Sequence, residues 1–135
     1  MKQNEIKVRL NILDFECSFE EISKILDLKP TGTLKEGDPI PNTILKRKQN
    51  CWYLEPDLQF KKGTLEDQSE AIFNMIGSKI KNFKNLPSNA NIELSCWMDV
   101  CEENGFPEIH LSGPLTHKLG LINAAFDLDI YSLPN

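Results

Sequence analysis

Two segments of the chain alternate strictly between apolar and polar residues, and this pattern constrains the fold more than any other feature. Successive side chains of a β-strand point to opposite faces of the sheet, so each segment predicts a strand with one buried face. A parallel sheet that is covered on both faces shows continuous apolar runs instead. Residues 5–12 and 91–101 therefore predict a sheet with its helices on a single face. The side chains predicted to point toward those helices are Ile6, Val8, Leu10, Ile12, Ile92, Leu94, Cys96, Met98 and Val100.

Helix signals separate the strands. Ser18 is followed three residues later by Glu21, which predicts a capped helix start, and Lys29-Pro30 predicts the end of that helix. Residues 63–67 supply a loop, an N-cap and an acidic first turn for the longest helix. Residues 113–123 predict a third, short helix that begins at a glycine–proline pair.

The rest of the chain predicts shorter strands. Residues 43–48 and 51–55 predict a hairpin, and residues 108–111 predict a strand that follows an Asn-Gly turn. Residues 126–131 alternate again and predict the last strand. Residues 30–43 hold three prolines and two glycines, which predicts an irregular connection.

The predicted order is strand, helix, two strands, helix, two strands, helix and strand, a series of strand–helix–strand units. Its middle portion follows the split βαβ arrangement of ferredoxin-like folds. We therefore predict an α+β two-layer sandwich, with a mostly antiparallel sheet and three helices on one face. A chain of 135 residues fits a single domain, residues 1–135, with one sizeable core.

The apolar runs and the cysteines predict the compartment. No apolar run approaches the ~18 residues that a membrane span needs, and the N-terminus leads into the first strand without a signal-peptide pattern. We therefore expect a cytoplasmic protein without a membrane partner. In that reducing compartment the four cysteines are expected to be free thiols. They are Cys17, Cys51, Cys96 and Cys101.

The net charge of −5 disfavours binding to nucleic acid, which needs a basic face. The charge is unevenly distributed, because residues 86–135 hold one basic and seven acidic side chains. An acidic surface built by this part of the chain would attract a basic protein partner by electrostatic steering. The alternative is a solvated surface that only keeps the protein soluble. Nothing in the sequence marks an oligomeric state.

The residue patterns predict neither a metal nor a cofactor, and the preferred interpretation has no catalytic site. Cys96 and Cys101 are five residues apart and fall on opposite faces of their strand, whereas a zinc knuckle needs closer cysteines. The glycines match no phosphate-binding loop. Cys101, His110 and Asp99 share the parity of one sheet face, so a cysteine-dependent hydrolase is a weaker alternative.

The sheet face turned away from the helices is the main candidate binding surface. Trp97 lies on this polar side, and a large aromatic residue among charged ones is typical of binding surfaces. The alternative is that residues 30–43 fold over this face and bury Trp97. The residues assigned to the face are Arg9, Asn11, Trp97, Asp99, His110, Asp127, Asp129 and Tyr131.

A second candidate cluster lies earlier in the chain and consists of Lys35, Gly37, Asp38 and Trp52. A structural role is the alternative for this cluster. In that case Asp38-Pro39 forms a turn and Trp52 anchors the core.

Several segments that together cover nearly the whole chain carry a family resemblance. They are the first strand, the helix of residues 18–28, Pro30-Thr31, Lys35-Glu36-Gly37-Asp38-Pro39, Cys51-Trp52-Tyr53-Leu54-Glu55 and residues 121–131. In these segments the chain resembles the bacterial family called domain of unknown function 4279. The resemblance implies a compact α+β domain without an established activity, and some members resemble immunity proteins of toxin systems by association.

The predicted function is that of a non-enzymatic bacterial interaction domain. The expected partner is a toxin or another protein, and an immunity-type role would use the acidic C-terminal part to mask a basic toxin. The alternative from another class is a small-molecule-binding or regulatory module, which would use the Trp97 face or a pocket beneath residues 30–43. An open, flat face favours the protein partner, and a concave pocket lined by Trp97 favours the ligand.

Overall fold

The computed structural model describes residues 3–57 and 62–133, which contain five strands and three α-helices. The predicted α+β class is confirmed. The strands are β1 (Glu5–Leu13), β2 (Gly32–Leu34), β3 (Cys51–Leu54), β4 (Asn91–Cys101) and β5 (Ala125–Leu133). The helices are α1 (Phe19–Leu26), α2 (Leu65–Ile76) and α3 (Gly113–Leu121), with 3₁₀ segments at Gly77–Asn85 and Glu102–Asn104.

The strands form one sheet in the order β2-β3-β1-β4-β5. All neighbours are antiparallel except β4 and β5, which run parallel. The first four strands, with α1 and α2, have the connectivity of a ferredoxin-like βαββαβ unit. The helix α3 then provides the crossover that a parallel pair requires. The mostly antiparallel sheet is as predicted.

The core lies between the sheet and the helices, where the alternation places it. Val8, Leu10 and Ile12 of β1 are buried, as are Leu94 and Met98 of β4. Full burial of one such side chain stabilises a protein by roughly 1.5–3 kcal/mol, so the pattern determines which face is covered. The helices add to the same cluster Ile22, Leu26, Leu65, Ile72, Ile76, Leu115 and Leu119.

The helix starts follow their caps. The Ser18 hydroxyl accepts a hydrogen bond from the Glu21 backbone N–H at 3.1 Å, at the start of α1. Thr64 and Asp67 form a reciprocal capping box at the start of α2. The predicted end of α1 at Lys29-Pro30 is too late. The helix ends at Leu26 because Asp27 takes a left-handed conformation with φ 56°, and its N–H bonds back to the Ser23 carbonyl.

The predicted strand at residues 43–48 is wrong. The partner of β3 is β2, a three-residue strand inside the proline-rich connection, with Gly32 opposite Tyr53. Residues 37–47 instead form a short arm, in which the Gly37 N–H bonds to the Arg47 carbonyl at 2.9 Å. Because β2 and β1 lie on the two sides of β3, residues 43–48 have no free side of β3 on which to pair.

The predicted strand at residues 108–111 is also wrong. After the 3₁₀ turn at Glu102–Asn104, residues 105–112 run without regular structure to the start of α3. The strand β4 already has β1 on one side and β5 on the other, so a hairpin partner from this segment has no edge on which to pair.

Candidate functional site

The sheet side turned away from the helices carries the candidate surface, which we call the open face. We define it by Lys7, Arg9, Glu93, Trp97, Asp99, Asp127, Asp129 and Tyr131. The strand register aligns Lys7, Trp97 and Asp129 across β1, β4 and β5, and it aligns Asp99 with Tyr131. These side chains share a face because they occupy alternate positions of neighbouring strands.

An aromatic pair lies at the centre of the open face. The rings of Trp97 and Tyr131 meet edge to face, with centroids 5.9 Å apart. The Nζ atom of Lys7 lies 4.7 Å from the centroid of the Trp97 ring. Trp97 is 37% exposed and Tyr131 is 52% exposed, although both are large and partly apolar. Each ring therefore keeps a surface that a binding partner could cover.

Carboxylates surround the aromatic pair. Asp127 and Asp129 are exposed on β5, and Asp99 is half-buried beside them on β4. The pKa of the Glu93 carboxyl is raised, first by its partial burial and then by the negative charges of Asp127 and Asp129. These three carboxylates thus repel one another, and a cation placed among them would relieve the repulsion.

The charge of Arg9, one of the two basic residues of the open face, is compensated internally. Arg9 Nη2 lies 2.5 Å from Glu55 Oε1, and the guanidinium carbon lies 3.9 Å from the centroid of the Tyr53 ring. Because its charge is paired with Glu55, Arg9 does not neutralise the carboxylates of β4 and β5. The β4–β5 half of the open face is therefore acidic.

Asn11 was predicted to lie on this face, but its side chain is buried. Its amide Nδ2 donates to the Ser95 hydroxyl at 3.1 Å, and its Oδ1 accepts from the Cys51 thiol at 3.5 Å. Asn11 therefore holds β1, β3 and β4 together and offers little surface to a partner.

The placement of His110 on the open face is wrong, because residues 108–111 form no strand. His110 Nε2 lies 3.8 Å from Glu66 Oε1, in the first turn of α2, on the helical side of the sheet. Cys101 is buried at the end of β4. Within the described ranges, no hydrogen bond joins the Cys101 thiol to His110 or Asp99.

Residues 30–43 do not cover Trp97. Their strand β2 lies at one edge of the sheet, and β3 and β1 separate it from β4. The alternative in which the proline-rich segment buries Trp97 is therefore wrong, as the exposure of the ring also shows.

A cavity of about 830 Å³ lies beside β1 and adjoins the open face. It lies where β3 stops at Leu54, opposite Leu10, and the first half of β1 extends beyond its neighbour. The Gln68 amide crosses this gap and donates to the Ile6 carbonyl at 2.8 Å. Lining side chains with a charge or an aromatic ring include Glu5, Lys7, Arg9, Glu55, Lys62 and Trp97.

The second candidate cluster does not form one site. Trp52 is fully buried and its Nε1 donates to the Ser23 hydroxyl at 2.9 Å, so it joins β3 to α1. Lys35, Gly37 and Asp38 are exposed at the base of the arm. Gly37 has φ 88°, which suits a glycine in this turn.

Four contributors to the site were not predicted from the sequence. Lys7 lies over the Trp97 ring, Tyr53 and Glu55 position Arg9, and Glu93 extends the acidic half. The alternation of residues 5–12, 51–55 and 91–101 could have revealed them, because each of the four lies on the polar side of its alternating segment.

The described cysteines are free thiols, and burial raises the pKa of Cys51 and of Cys96 to about 11. Among the residues with described structure, no cluster of three histidines, cysteines or carboxylates has a geometry that could hold a metal ion. No helix within residues 3–57 and 62–133 is long and apolar enough to cross a membrane.

A family model matches residues 4–133, and its description is Domain of unknown function (DUF4279). The resemblance inferred from the sequence is thereby confirmed. Neither the curated proteins nor the solved structures contain a significant match to the chain.

Proposed function

The chain belongs to the family described as Domain of unknown function (DUF4279), and from this premise we propose that it is a non-enzymatic interaction domain whose open face binds a basic protein partner. The observation that carries the proposal is the exposed Trp97–Tyr131 pair set among Glu93, Asp127 and Asp129.

Both parts of this surface have a physical role in binding. Tryptophan and tyrosine dominate the binding energy of many interfaces, because they bury a large area with few rotatable bonds. Carboxylates around such a pair steer a basic partner toward it and select its orientation. A cation placed near Glu93 would also lower the raised pKa of that carboxyl.

We propose a bacterial cytoplasm as the setting. The four free cysteines support a reducing compartment. In the immunity form of this proposal, the partner is a basic toxin and the open face masks a basic region of it. The net charge of −6 carried by residues 86–135, from one basic and seven acidic side chains, supports this form.

Affinity capture from a lysate of the native host tests the proposal, with wild type, Trp97→Ala and Phe106→Ala as baits at low and high salt. Phe106 is 77% exposed outside the open face and serves as the matched control. We expect a basic protein on the wild-type and Phe106→Ala baits and its loss with Trp97→Ala. With the purified partner, Trp97→Ala should weaken binding by roughly 30-fold.

Two results would refute the proposal. One is an empty capture at both salt concentrations. The other is a partner that binds Trp97→Ala and an Asp127→Asn/Asp129→Asn variant as tightly as wild type, because such a partner would use another surface.

The cavity beside β1 favours a second function, the binding of a small molecule. Its volume of about 830 Å³ lies within the range of ligand sites, and Trp97 forms part of its wall. A thermal-shift screen of small metabolites tests this function. A ligand in the cavity should raise the melting temperature of wild type but not of Trp97→Ala, whereas a screen without any shift would contradict it.

A further inference from the structure

The strand β5 is an edge of the sheet. It follows β4 at the end of the strand order, and its nine residues span roughly 30 Å. An edge strand presents backbone N–H and C=O groups on its outer side, and these groups can pair with a strand from another chain. Charged side chains on such an edge decide which strands can pair there.

A second copy of β5 is a poor partner for this edge. In an antiparallel pair centred on Leu128, Asp127 of each copy would lie opposite Asp129 of the other. Centring the pair on Asp129 would set that residue against itself, and parallel in-register pairing would do so for both. Like charges directly opposite each other are destabilising, so the two aspartates oppose self-pairing in each of these registers.

The same aspartates favour a strand with cationic side chains. Asp127 and Asp129 point to the open face at alternate positions, so an incoming strand would place two of its own alternate residues beside them. Lysine or arginine at these positions would form cross-strand pairs of opposite charge. They would also relieve the repulsion by Asp127 and Asp129, which adds to the effect of burial in raising the pKa of Glu93.

The helical side of β5 favours apolar side chains on an added strand. Phe126 and Ile130 point toward the helical side but remain 42% and 43% exposed, because the helices do not reach over this edge. Leu128 between them is half-buried against the core. Apolar side chains from an added strand would cover these residues and extend the core layer.

We propose that the β5 edge binds an extended segment of the basic partner by strand addition, and that this segment alternates between basic and apolar residues. Backbone pairing would supply affinity, and the alternation would supply specificity, as in other strand-addition complexes. This inference rests on the proposed function, since it specifies how the partner reaches the open face.

Three synthetic nine-residue peptides test the inference with the full-length protein. In the first, lysine and valine alternate; the second has the same composition but groups the lysines and the valines in two blocks; in the third, glutamate replaces lysine. Binding is measured by calorimetry, and hydrogen exchange reports the protection of the β5 amides. We expect the alternating lysine peptide to bind at least tenfold more tightly than the other two and to protect β5.

Charge variants provide a second readout. Asp127→Asn/Asp129→Asn should weaken binding of the alternating lysine peptide by roughly 2- to 30-fold, the range expected for two cross-strand charge pairs. The matched control is Glu20→Gln/Glu70→Gln, which removes the same charge from exposed positions on α1 and α2. This control should leave the affinity unchanged.

The outcomes separate the two proposals. If both lysine peptides bind equally and leave the β5 amides unprotected, strand addition is refuted, while the binding of a basic partner by the open face stands. If neither lysine peptide binds, strand addition is refuted, while the affinity capture with Trp97→Ala still decides whether the open face binds a basic partner. If the glutamate peptide binds as tightly as the alternating lysine peptide, the charge argument for the edge fails.

Discussion

Replacing Gly32 by alanine is expected to destabilise the protein through Tyr53. The two residues are paired between β2 and β3, and the Tyr53 side chain crosses directly over Gly32. A Cβ atom at position 32 would lie 2.6 Å from Tyr53 Cζ. Ordinary carbon contacts are ~3.5 Å or longer, so the tyrosine ring has to retreat by about 1 Å.

The size of the effect follows from what holds the ring. The guanidinium carbon of Arg9 lies 3.9 Å from the centroid of the Tyr53 ring, and Arg9 is itself paired with Glu55. Moving the ring costs part of a cation–π contact of about 0.5–1 kcal/mol and adds overpacking strain of about 1–3 kcal/mol. The reduced freedom of the unfolded chain offsets about 0.4–1 kcal/mol. We expect a net loss of about 1–2 kcal/mol in the free energy of unfolding.

Urea unfolding of a double-mutant cycle measures this coupling. In a Tyr53→Ala background, Gly32→Ala should cost nothing or even stabilise the protein, because the ring is absent. Gly120→Ala is the matched control, since nothing lies within 4 Å of a Cβ at this position in α3, and a gain of about 0.5 kcal/mol is expected there. An equal loss for Gly32→Ala with and without Tyr53 would refute the reasoning.

Three further predictions concern the core, the acidic half of the open face and the cysteines. Trp52→Phe removes a buried indole and its hydrogen bond to Ser23, and should cost about 2–3 kcal/mol in chemical denaturation, whereas Trp97→Phe should change stability by less than about 0.5 kcal/mol. Equal effects of the two changes would contradict this assignment. Because the pKa of Glu93 is raised in the folded protein, first by partial burial and then by Asp127 and Asp129, ionisation of this carboxyl opposes folding at neutral pH. The penalty declines as the pH falls below the raised pKa and is gone below the ordinary pKa of the unfolded carboxyl. Glu93→Gln should therefore stabilise the protein in urea unfolding at pH 7. The gain should be lost near pH 3.5, where the wild-type carboxyl is protonated in both the folded and the unfolded protein. An equal gain at pH 7 and pH 3.5 would show that ionisation of Glu93 is not the cause. Finally, iodoacetamide should label the half-buried Cys17 before Cys51 and Cys96, which are buried and whose pKa values are about 11. Peptide mass mapping measures the order of labelling, and the reverse order would contradict this prediction.

The strands with long alternating patterns were predictable from the sequence. β1 and β4 carry enough residues for the alternation to show which side meets the helices, and the structure places Leu10 and Met98 in the core as predicted. The position of Trp97 on the open face follows from the same periodicity. Local pattern and global fold agree at these positions.

The errors come from pairing between distant parts of the chain. β2 is only three residues long and contains Gly32, so no periodicity reveals it. Its pairing depends on a close approach of Gly32 to the Tyr53 ring, which a Cβ atom at position 32 would obstruct. Residues 108–111 alternate well enough to predict a strand, but β5 has already taken the free side of β4. The pairing of Arg9 with Glu55 likewise depends on the register between β1 and β3. This pairing leaves the β4–β5 half of the open face acidic.

Oxidative footprinting of the protein with and without its captured partner shows whether the partner covers the open face. Labelling of Trp97 and Tyr131 is expected to fall when the partner binds, while labelling of Phe106, which is exposed outside the open face, stays constant. Unchanged labelling of both aromatic rings, together with protection elsewhere on the molecule, would contradict the assignment of the open face as the binding surface.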